Sequence, residues 1–305
     1  MSPKIPGIHH VTAISGPAQE NVDFYAGTLG QRLVKRTVNF DAPDTYHLYY
    51  GDRTGSPGTI MTFFPFTDAG RGRAGPGMAS AYAYAVTEGQ FDGWIERLAQ
   101  DAIDFDGPGE RFGDRVITLR DADGAPVELV ETGRSGGEPL DGFHSVTLWL
   151  RDPAPTARLL TDAFGYVDGG SETAGGVERL RLVAPGGARG SIVDLIRSDT
   201  PAIGRPGAGT IHHVAFRARS DAEQREWQER LLSFGHRTTE VIDRQYFNAI
   251  YFREPGGVLF EIATDPPGFS VDEPVEALGQ SLKLPAKHER LRERLERTLP
   301  PLRLP

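Results

Sequence analysis

Two stretches far apart in the chain, GIHHVTAI (residues 7–14) and TIHHVAF (residues 210–216), each place a His-His pair at the head of an apolar run. A third stretch, GFHSVTLWL from Gly142, has the same pattern with one histidine, and SAYAYAV from Ser80 fits the spacing with weaker similarity. Similarity that recurs through a chain indicates an internal repeat. We therefore interpret the protein as four copies of one structural unit.

Each strand-like start is followed by a polar segment with apolar residues at three- and four-residue spacing, which is typical of an amphipathic helix. The four segments are AQENVDFYAGTLG, GQFDGWIERLAQ, APTARLLTDAFG and DAEQREWQERLLSFG. Alternating runs such as YHLYYGD, RVITLRD and GVLFEIA follow, separated by turns rich in glycine and proline. The pattern predicts an α+β unit of one strand, one helix and about three antiparallel strands, which must pair with another unit to cover its open sheet edges.

The composition is that of a globular protein of 305 residues with a formal net charge of -9. This length accommodates two domains of ordinary size. An acidic balance argues against nucleic-acid binding, which depends on neutralising phosphates. The chain has no cysteine, so disulfides and thiolate ligands are excluded. Since no signal-peptide core or long apolar run is seen, we expect a cytoplasmic protein without membrane contact.

Five of the eight histidines lie at the aligned strand starts. Aligning these starts on the apolar residue that follows places His10, Ser145 and His213 at equivalent positions. Glu261 lies in the apolar stretch GGVLFEIATD, where a buried carboxylate is costly unless it is paired or bound to a cation. Two imidazoles and one carboxylate form a set that holds Fe(II) on one face and leaves positions open for substrate and oxygen. We therefore predict that His10, His213 and Glu261 bind a divalent metal.

A single histidine in a strand is more often a hydrogen-bonded core residue than a metal ligand. Two at equivalent repeat positions, together with a strand carboxylate, favour the metal site. The equivalent positions of the last strand in the other units hold Thr62, Glu128 and Asp194. Units two and three thus keep carboxylates but lack imidazoles, and we predict that the site they share binds no metal.

These features resemble the vicinal oxygen chelate superfamily (glyoxalase, bleomycin resistance protein, extradiol dioxygenase), in which paired βαβββ units form half-barrels around a metal. Within it the chain is similar to the hydroquinone-type ring-cleaving dioxygenases. The similarity spans nearly the whole chain, including FYAGTLGQRLVKRTVNFD, GSPGTIMTFFPF, REPGGVLFEIATD and LGQSLKLP. It implies four βαβββ modules in two half-barrel sheets, module 1 paired with module 4 and module 2 with module 3. It also implies that Fe(II), or Mn(II) or another divalent metal, binds at His10, His213 and Glu261.

The predicted domains are the first pair of modules over residues 5–133, the second pair over 141–268, and a tail over 269–305. The tail contains AKHERLRERLERTL, whose charged amphipathic pattern predicts a solvated helix that packs on the body. We also expect the protein to form a homo-oligomer.

The resemblance implies five further site residues: His9, Thr12, His212, Arg244 and Tyr251. Thr12 lies two residues beyond His10, so strand alternation turns its hydroxyl to the same side. Arg244 is suited to neutralise a bound phenolate, and Tyr251 to donate a hydrogen bond or a proton. Alternation places the rings of His9 and His212 on the face opposite the ligands, so they would contribute through ligand support or a distorted strand.

The activity implied by the resemblance is an extradiol-type ring-cleaving dioxygenase that inserts both atoms of O2 into a hydroquinone- or catechol-type aromatic. Ser145 in unit three argues against the layout of ordinary catechol extradiol enzymes, which take their ligands from units three and four. The alternatives are a glyoxalase-like metal-dependent lyase or isomerase and a resistance protein that binds an aromatic without turnover. Such lyases usually employ four protein ligands, and Thr62 occupies the place of the fourth. His47 is expected to be structural.

Overall fold

The computed structural model describes residues 4–197 and 203–305 and contains two eight-stranded sheets. The first sheet combines units one and four. Its strands are β1 (Ile8–Ser15), β2 (Arg32–Val38), β3 (Tyr46–Gly51) and β4 (Ile60–Pro65) from unit one. The strands that unit four supplies appear later in the chain, after eight strands of the second sheet. The predicted pairing of module 1 with module 4 is confirmed.

The second sheet is formed by units two and three. Its strands are β5 (Met78–Val86), β6 (Phe105–Arg111), β7 (Asp114–Arg120), β8 (Pro126–Glu131), β9 (Leu140–Leu150), β10 (Val167–Ala174), β11 (Val177–Val183) and β12 (Ile192–Arg197). The strand order is β10-β11-β12-β9-β5-β8-β7-β6, and the two units meet where β5 and β9 pair antiparallel.

Unit four completes the first sheet. Its strands are β13 (Thr210–Ala218), β14 (Ile242–Asp243), β15 (Phe247–Arg253) and β16 (Leu259–Pro267). The order across this sheet is β14-β15-β16-β13-β1-β4-β3-β2, with β1 and β13 antiparallel at the junction. Since both sheets repeat one internal order, the predicted α+β fold of four modules in two half-barrel sheets is confirmed.

One helix follows the first strand of each unit. These helices are α1 (Ala18–Val22), α2 (Phe91–Gln100), α3 (Ala154–Arg158) and α4 (Asp221–Ser233). α1 and α3 each continue into a wider π-helical turn, over Asp23–Thr28 and Leu159–Ala163. α4 begins after Ser220, whose hydroxyl accepts a hydrogen bond from the Glu223 amide and caps the helix. None of the helices in these described ranges is long and apolar enough to cross a membrane.

A continuous core of buried apolar side chains takes residues from both sheets and from the helices. The central strands of the first sheet contribute Val11, Ala13, Val214, Phe216, Phe260 and Ile262. Because side chains alternate along a strand, the residues next to these face away from the core. His10, His213 and Glu261 occupy such positions, and the packing of the core therefore determines where their side chains lie.

The tail after β16 returns to unit one. A 3₁₀-helical segment over Ala286–Leu291 continues into α5 (Arg292–Thr298), so AKHERLRERLERTL is α-helical only in its second half. Short 3₁₀ turns are frequent at helix N-termini. Leu295 is fully buried, which places this helix against the body. The division into domains at 5–133, 141–268 and 269–305 stays a prediction, since each sheet takes strands from both halves of the chain.

Candidate metal centre

Two β-bulges lie at the junction of β1 and β13. The residue pairs that bracket them are Ile8 with Phe216, His10 with Ala215, Thr12 with His213, and Ala13 with Ile211. His9 is therefore an extra residue in β1, and His212 is an extra residue in β13. A bulge interrupts the alternation of the strand and re-aims a side chain.

The bulges correct the expectation that the rings of His9 and His212 lie on the face opposite the ligands. Nδ1 of His9 lies 2.9 Å from Nδ1 of His10, and Nδ1 of His212 lies 2.8 Å from Nδ1 of His213. The alternation argument is wrong at both positions because each histidine is the inserted residue. Each of the two predicted histidine ligands thus has a neighbouring imidazole at its Nδ1, which leaves its Nε2 free to bind a metal.

The three predicted ligands come together on the first sheet. Nε2 of His10 lies 3.3 Å from Nε2 of His213. Oε2 of Glu261 lies 2.9 Å from Nε2 of His213 and 3.4 Å from Nε2 of His10. Two atoms that bind one ion at about 2.1 Å with a right angle between them are about 3 Å apart. These spacings therefore fit a single ion held on one face.

The carboxylate of Glu261 provides an independent test of that fit. The side chain is fully buried, yet neither carboxylate oxygen has a hydrogen bond of acceptable geometry within the described chain. The 2.9 Å approach to His213 is close but badly aligned. Leaving a buried carboxylate without a partner costs several kcal/mol, roughly, unless a cation is present. The donor set therefore fits a divalent metal.

The charge states of the ligands also suit a metal. Burial lowers the pKa of His213, although Glu261 beside it acts in the opposite direction. Burial alone would raise the pKa of Glu261, but the adjacent His10 and His213 hold it well below the usual range. A neutral imidazole and an ionised carboxylate are the forms that bind metals.

A cavity of about 440 Å³ opens beside His10 and His213. Its aromatic wall includes Phe40, Phe64, Phe66 and Phe247. Its polar wall includes Thr12, His47, Tyr49, His212, Arg244 and Tyr251. Aromatic side chains on one wall and polar groups on another suit a planar aromatic ligand that carries oxygen substituents.

Arg244 and Tyr251 form one side of this cavity. Nε of Arg244 donates to the Tyr251 hydroxyl at 3.2 Å, and its Nη1 donates to Asp41 at 3.1 Å. Burial alone would lower the pKa of Arg244, but Tyr251 and Asp41 raise it overall. Burial also raises the pKa of Tyr251. The pair therefore presents a permanent positive charge and a protonated phenol to the cavity.

The opposite wall holds two residues, His47 and Tyr49, that the sequence pattern did not predict at the site. His47, expected to be structural, lines the cavity together with Tyr49, two residues further along β3. Thr12 also lines the cavity, and its hydroxyl lies 2.8 Å from that of Thr62. The alternation in YHLYY is the signal that His47 and Tyr49 share a face, but only the strand register shows which face that is.

In the second sheet, arginines pair with the corresponding carboxylates. Arg111 binds Glu128 through two hydrogen bonds of 2.5 and 2.8 Å. Arg181 binds Asp194 through two of 2.9 and 3.0 Å, and Arg179 adds a third of 3.2 Å. Within the described ranges, the grouping of metal-binding side chains that could hold an ion is the triad of the first sheet. That the second site binds no metal stays a prediction.

The chain matches the model of the "Glyoxalase/Bleomycin resistance protein/Dioxygenase superfamily" over residues 7–129 and 142–262. Together with the fold and the repeated units, this match shows that the chain belongs to that superfamily. The resemblance inferred from the sequence, including the likeness to hydroquinone-type ring-cleaving dioxygenases, is confirmed.

Relatives of known name cover the whole length of the chain. "Putative ring-cleaving dioxygenase MhqO" of Bacillus subtilis is 45% identical over 99% of this chain and 98% of that protein. "Chlorohydroquinone/hydroquinone 1,2-dioxygenase" of Sphingobium indicum is 34% identical over 97% of this chain and 96% of that protein.

Two solved structures show how far the architecture is shared. The crystal structure of a "putative dioxygenase" from Bacillus subtilis has a TM-score of 0.93 at 43% identity, covering 100% of this chain and 99% of that chain. Glyoxalase I from Zea mays has a TM-score of 0.64 at 13% identity, covering 85% and 92%, and shows the common fold alone.

Proposed function

We propose that this protein is a ring-cleaving dioxygenase that binds Fe(II) at His10, His213 and Glu261 and inserts both atoms of O2 into a hydroquinone-type aromatic. The observation that carries the proposal is the fully buried carboxylate of Glu261, which has no well-aligned hydrogen bond among the described residues and lies beside two imidazoles that line an aromatic cavity. The names of the full-length relatives support the reaction class. We further propose cleavage beside a hydroxyl-bearing carbon, the extradiol type.

When bound, the ferrous ion supplies open coordination positions and the redox chemistry that ring opening by O2 requires. His10, His213 and Glu261 supply three ligands from one side, so the cavity side stays accessible. His9 and His212 orient the two ligand imidazoles through their Nδ1 contacts. These five side chains stand on paired central strands, which makes the site rigid.

The other cavity residues act on the substrate. The aromatic wall, including Phe64 and Phe247, holds the ring in place and excludes water. Arg244 stabilises the negative charge of an ionised substrate oxygen, because its guanidinium stays protonated at any working pH. Tyr251 donates a hydrogen bond, and can give up a proton, to an oxygen that gains charge during ring opening. Thr12 donates a hydrogen bond from the opposite wall.

Thr62 supports the dioxygenase over a glyoxalase-like lyase. In the lyase layout a fourth protein ligand would occupy this position, whereas here the Thr62 hydroxyl is engaged by Thr12 and His47. Three ligands leave room for both an aromatic oxygen and O2.

Oxygen uptake tests the proposal. The protein is loaded with Fe(II) without air and then mixed with hydroquinone, methylhydroquinone, chlorohydroquinone or catechol in oxygenated buffer. We expect one O2 to be consumed per ring, with both atoms of ¹⁸O2 found in the ring-opened product by mass spectrometry. Oxygen-independent, metal-dependent thiol chemistry would indicate the lyase instead, and tight binding without turnover would indicate a sequestering protein.

We also propose that the protein forms a homo-oligomer, and light scattering of the protein in solution tests this.

A further inference from the structure

A row of four hydrogen-bonded side chains crosses three neighbouring strands beside the metal centre. The Thr12 hydroxyl lies 2.8 Å from the Thr62 hydroxyl, which lies 2.9 Å from Nε2 of His47. Nδ1 of His47 lies 2.8 Å from the Tyr49 hydroxyl. The row begins two residues from the ligand His10 and extends along the cavity wall opposite Arg244.

The sheet holds this row in place. Thr12 pairs with Thr62 across β1 and β4, and Thr62 pairs with Tyr49 across β4 and β3. His47 lies two residues before Tyr49, so both side chains share a face. The His47 ring packs between Tyr49 and Phe64, at centroid distances of 4.0 and 4.4 Å. The contacts are therefore fixed by strand register and ring packing rather than by a loop.

The buried surroundings determine which group donates each hydrogen bond in the row. Burial raises the pKa of Tyr49, so its hydroxyl keeps the proton. The described residues offer that hydroxyl no hydrogen-bond partner besides His47, so Tyr49 donates to Nδ1. Burial also lowers the pKa of His47 well below its usual value, so the ring is neutral and its hydrogen is on Nε2.

From His47 the same direction continues to the cavity. Nε2–H of His47 donates to Thr62, and the Thr62 hydroxyl must then donate to Thr12. The hydrogen of the Thr12 hydroxyl then has no acceptor within the row, and Thr12 lines the cavity. In the opposite direction the last hydrogen would belong to the buried Tyr49 hydroxyl, which would lack an acceptor in the described structure.

We propose that His47 and Tyr49 are positioning residues that act through Thr62 to present the Thr12 hydroxyl as a hydrogen-bond donor to an oxygen of the bound dihydroxylated aromatic. The inference rests on the proposed function for the identity of the ligand. In chemical terms, the Thr12 hydroxyl donates a hydrogen bond of fixed orientation to a phenolate-like oxygen. A freely rotating threonine hydroxyl could equally present its lone pairs to the ligand and repel it.

Removing single hydroxyls tests the row. Tyr49→Phe removes the donor that fixes the His47 tautomer, and Thr62→Val interrupts the row with almost no change in volume. Tyr50→Phe is the matched control, because Tyr50 lies next in the same strand but donates to Asn21 on the core side. We expect Tyr49→Phe and Thr62→Val to lower kcat/KM about 10-fold, the effect of one hydrogen bond to a charged group. Metal content should stay unchanged, and Tyr50→Phe should match the wild type in kcat/KM.

A binding readout separates this inference from the proposed function. Nitrohydroquinone changes its visible absorption when it ionises, and Zn(II)-loaded protein can bind it without turnover. We expect Tyr49→Phe and Thr62→Val to weaken its binding about 10-fold and to shift its absorption toward the neutral form. This result would support the row even if the Fe(II) protein consumed no oxygen.

His47 provides a rescue experiment. His47→Gln keeps an N–H that can reach Thr62, whereas His47→Leu does not, so the glutamine variant should retain more nitrohydroquinone binding. The inference is overturned if Thr62→Val binds the probe like the wild type while Tyr49→Phe does not, because Tyr49 or His47 would then contact the ligand directly. It is also overturned if Tyr50→Phe matches Tyr49→Phe.

Discussion

The two sheets place different side chains at the same strand positions. In the first sheet these positions hold His10, Thr62, His213 and Glu261, and in the second they hold Ala81, Glu128, Ser145 and Asp194. The junction of the second sheet also has bulges, at Ser80 and His144, which correspond to His9 and His212. The backbone geometry for a metal site is thus present twice, and the side chains distinguish the two copies.

The carboxylates show what separates them. Tyr251 pairs in register with Glu261, and Arg181 pairs in register with Asp194. In the second sheet the guanidinium supplies the positive charge that a buried carboxylate needs, whereas a phenol in the first sheet leaves that charge to be supplied by an ion. The fold therefore provides the same backbone arrangement in both sheets. The side chains beside the carboxylate, arginines in the second sheet and imidazoles in the first, decide whether it can bind a metal.

The strongest way to break this comparison is to remove the charge from each carboxylate in turn. Glu261→Gln should weaken iron binding by more than about 100-fold, beyond the effect of losing an outer partner, and abolish oxygen uptake. Asp194→Asn is the matched control and should keep one iron per chain. Metal analysis by mass spectrometry measures both, and full iron content in Glu261→Gln would remove it from the ligand set.

The next largest effect is expected from the residues that face the two carboxylates. Arg181→Met should lower the free energy of unfolding by about 3 kcal/mol, because Asp194 is fully buried and loses its bidentate partner. Tyr251→Phe, the equivalent site in the first sheet, should cost about 1 kcal/mol or less of stability while reducing turnover. Urea unfolding of both variants provides the measurement, and equal losses would show that the two positions do not differ in this way.

The histidine bulge of the second sheet predicts a pH effect on stability. Burial lowers the pKa of His144 from its usual value of 6.5 to about 3. The unfolded chain therefore binds more protons between these two values, and stability falls as the pH drops through this window. His144→Asn should remove roughly 2 to 3 kcal/mol of the loss between pH 7 and pH 4. Parallel unfolding curves for the variant and the wild type would contradict the assignment.

The smallest expected effect belongs to the histidine bulges of the first sheet. His212→Phe keeps a ring but loses the contact with Nδ1 of His213, and should weaken metal binding about 10-fold. His144→Phe, at the matching bulge of the second sheet, should leave metal affinity unchanged. Competition with a chelator measures both affinities, and equal values would separate the bulge from metal binding.

The sequence predicts those parts of the structure that repeat. The shared apolar residue after each His or Ser places His10 and His213 at equivalent positions of their units, and the isolated carboxylate in an apolar strand identifies Glu261. Local pattern suffices for these residues because each unit carries its own copy of the signal. The pairing of modules 1 and 4, by contrast, is implied by the resemblance to the superfamily and not by the repeats.

The remaining features depend on pairings between strands. The bulges at His9 and His212 are single-residue insertions, which leave no trace in hydrophobic alternation. The contact of His47 with Thr62 becomes visible only when β3 and β4 are paired. The pairing of Arg181 with Asp194 likewise comes from neighbouring strands. In each case the partner is fixed by register, which a single strand does not encode.

We predict that one ion binds in the first sheet and none in the second. Crystals of Fe(II)-loaded protein, measured on both sides of the iron absorption edge, locate iron directly by its anomalous scattering. We predict one peak per chain, within about 2.3 Å of Nε2 of His10, Nε2 of His213 and a carboxylate oxygen of Glu261. A peak beside Asp194 and Glu128, or iron beyond bonding distance of the three residues, would contradict the account.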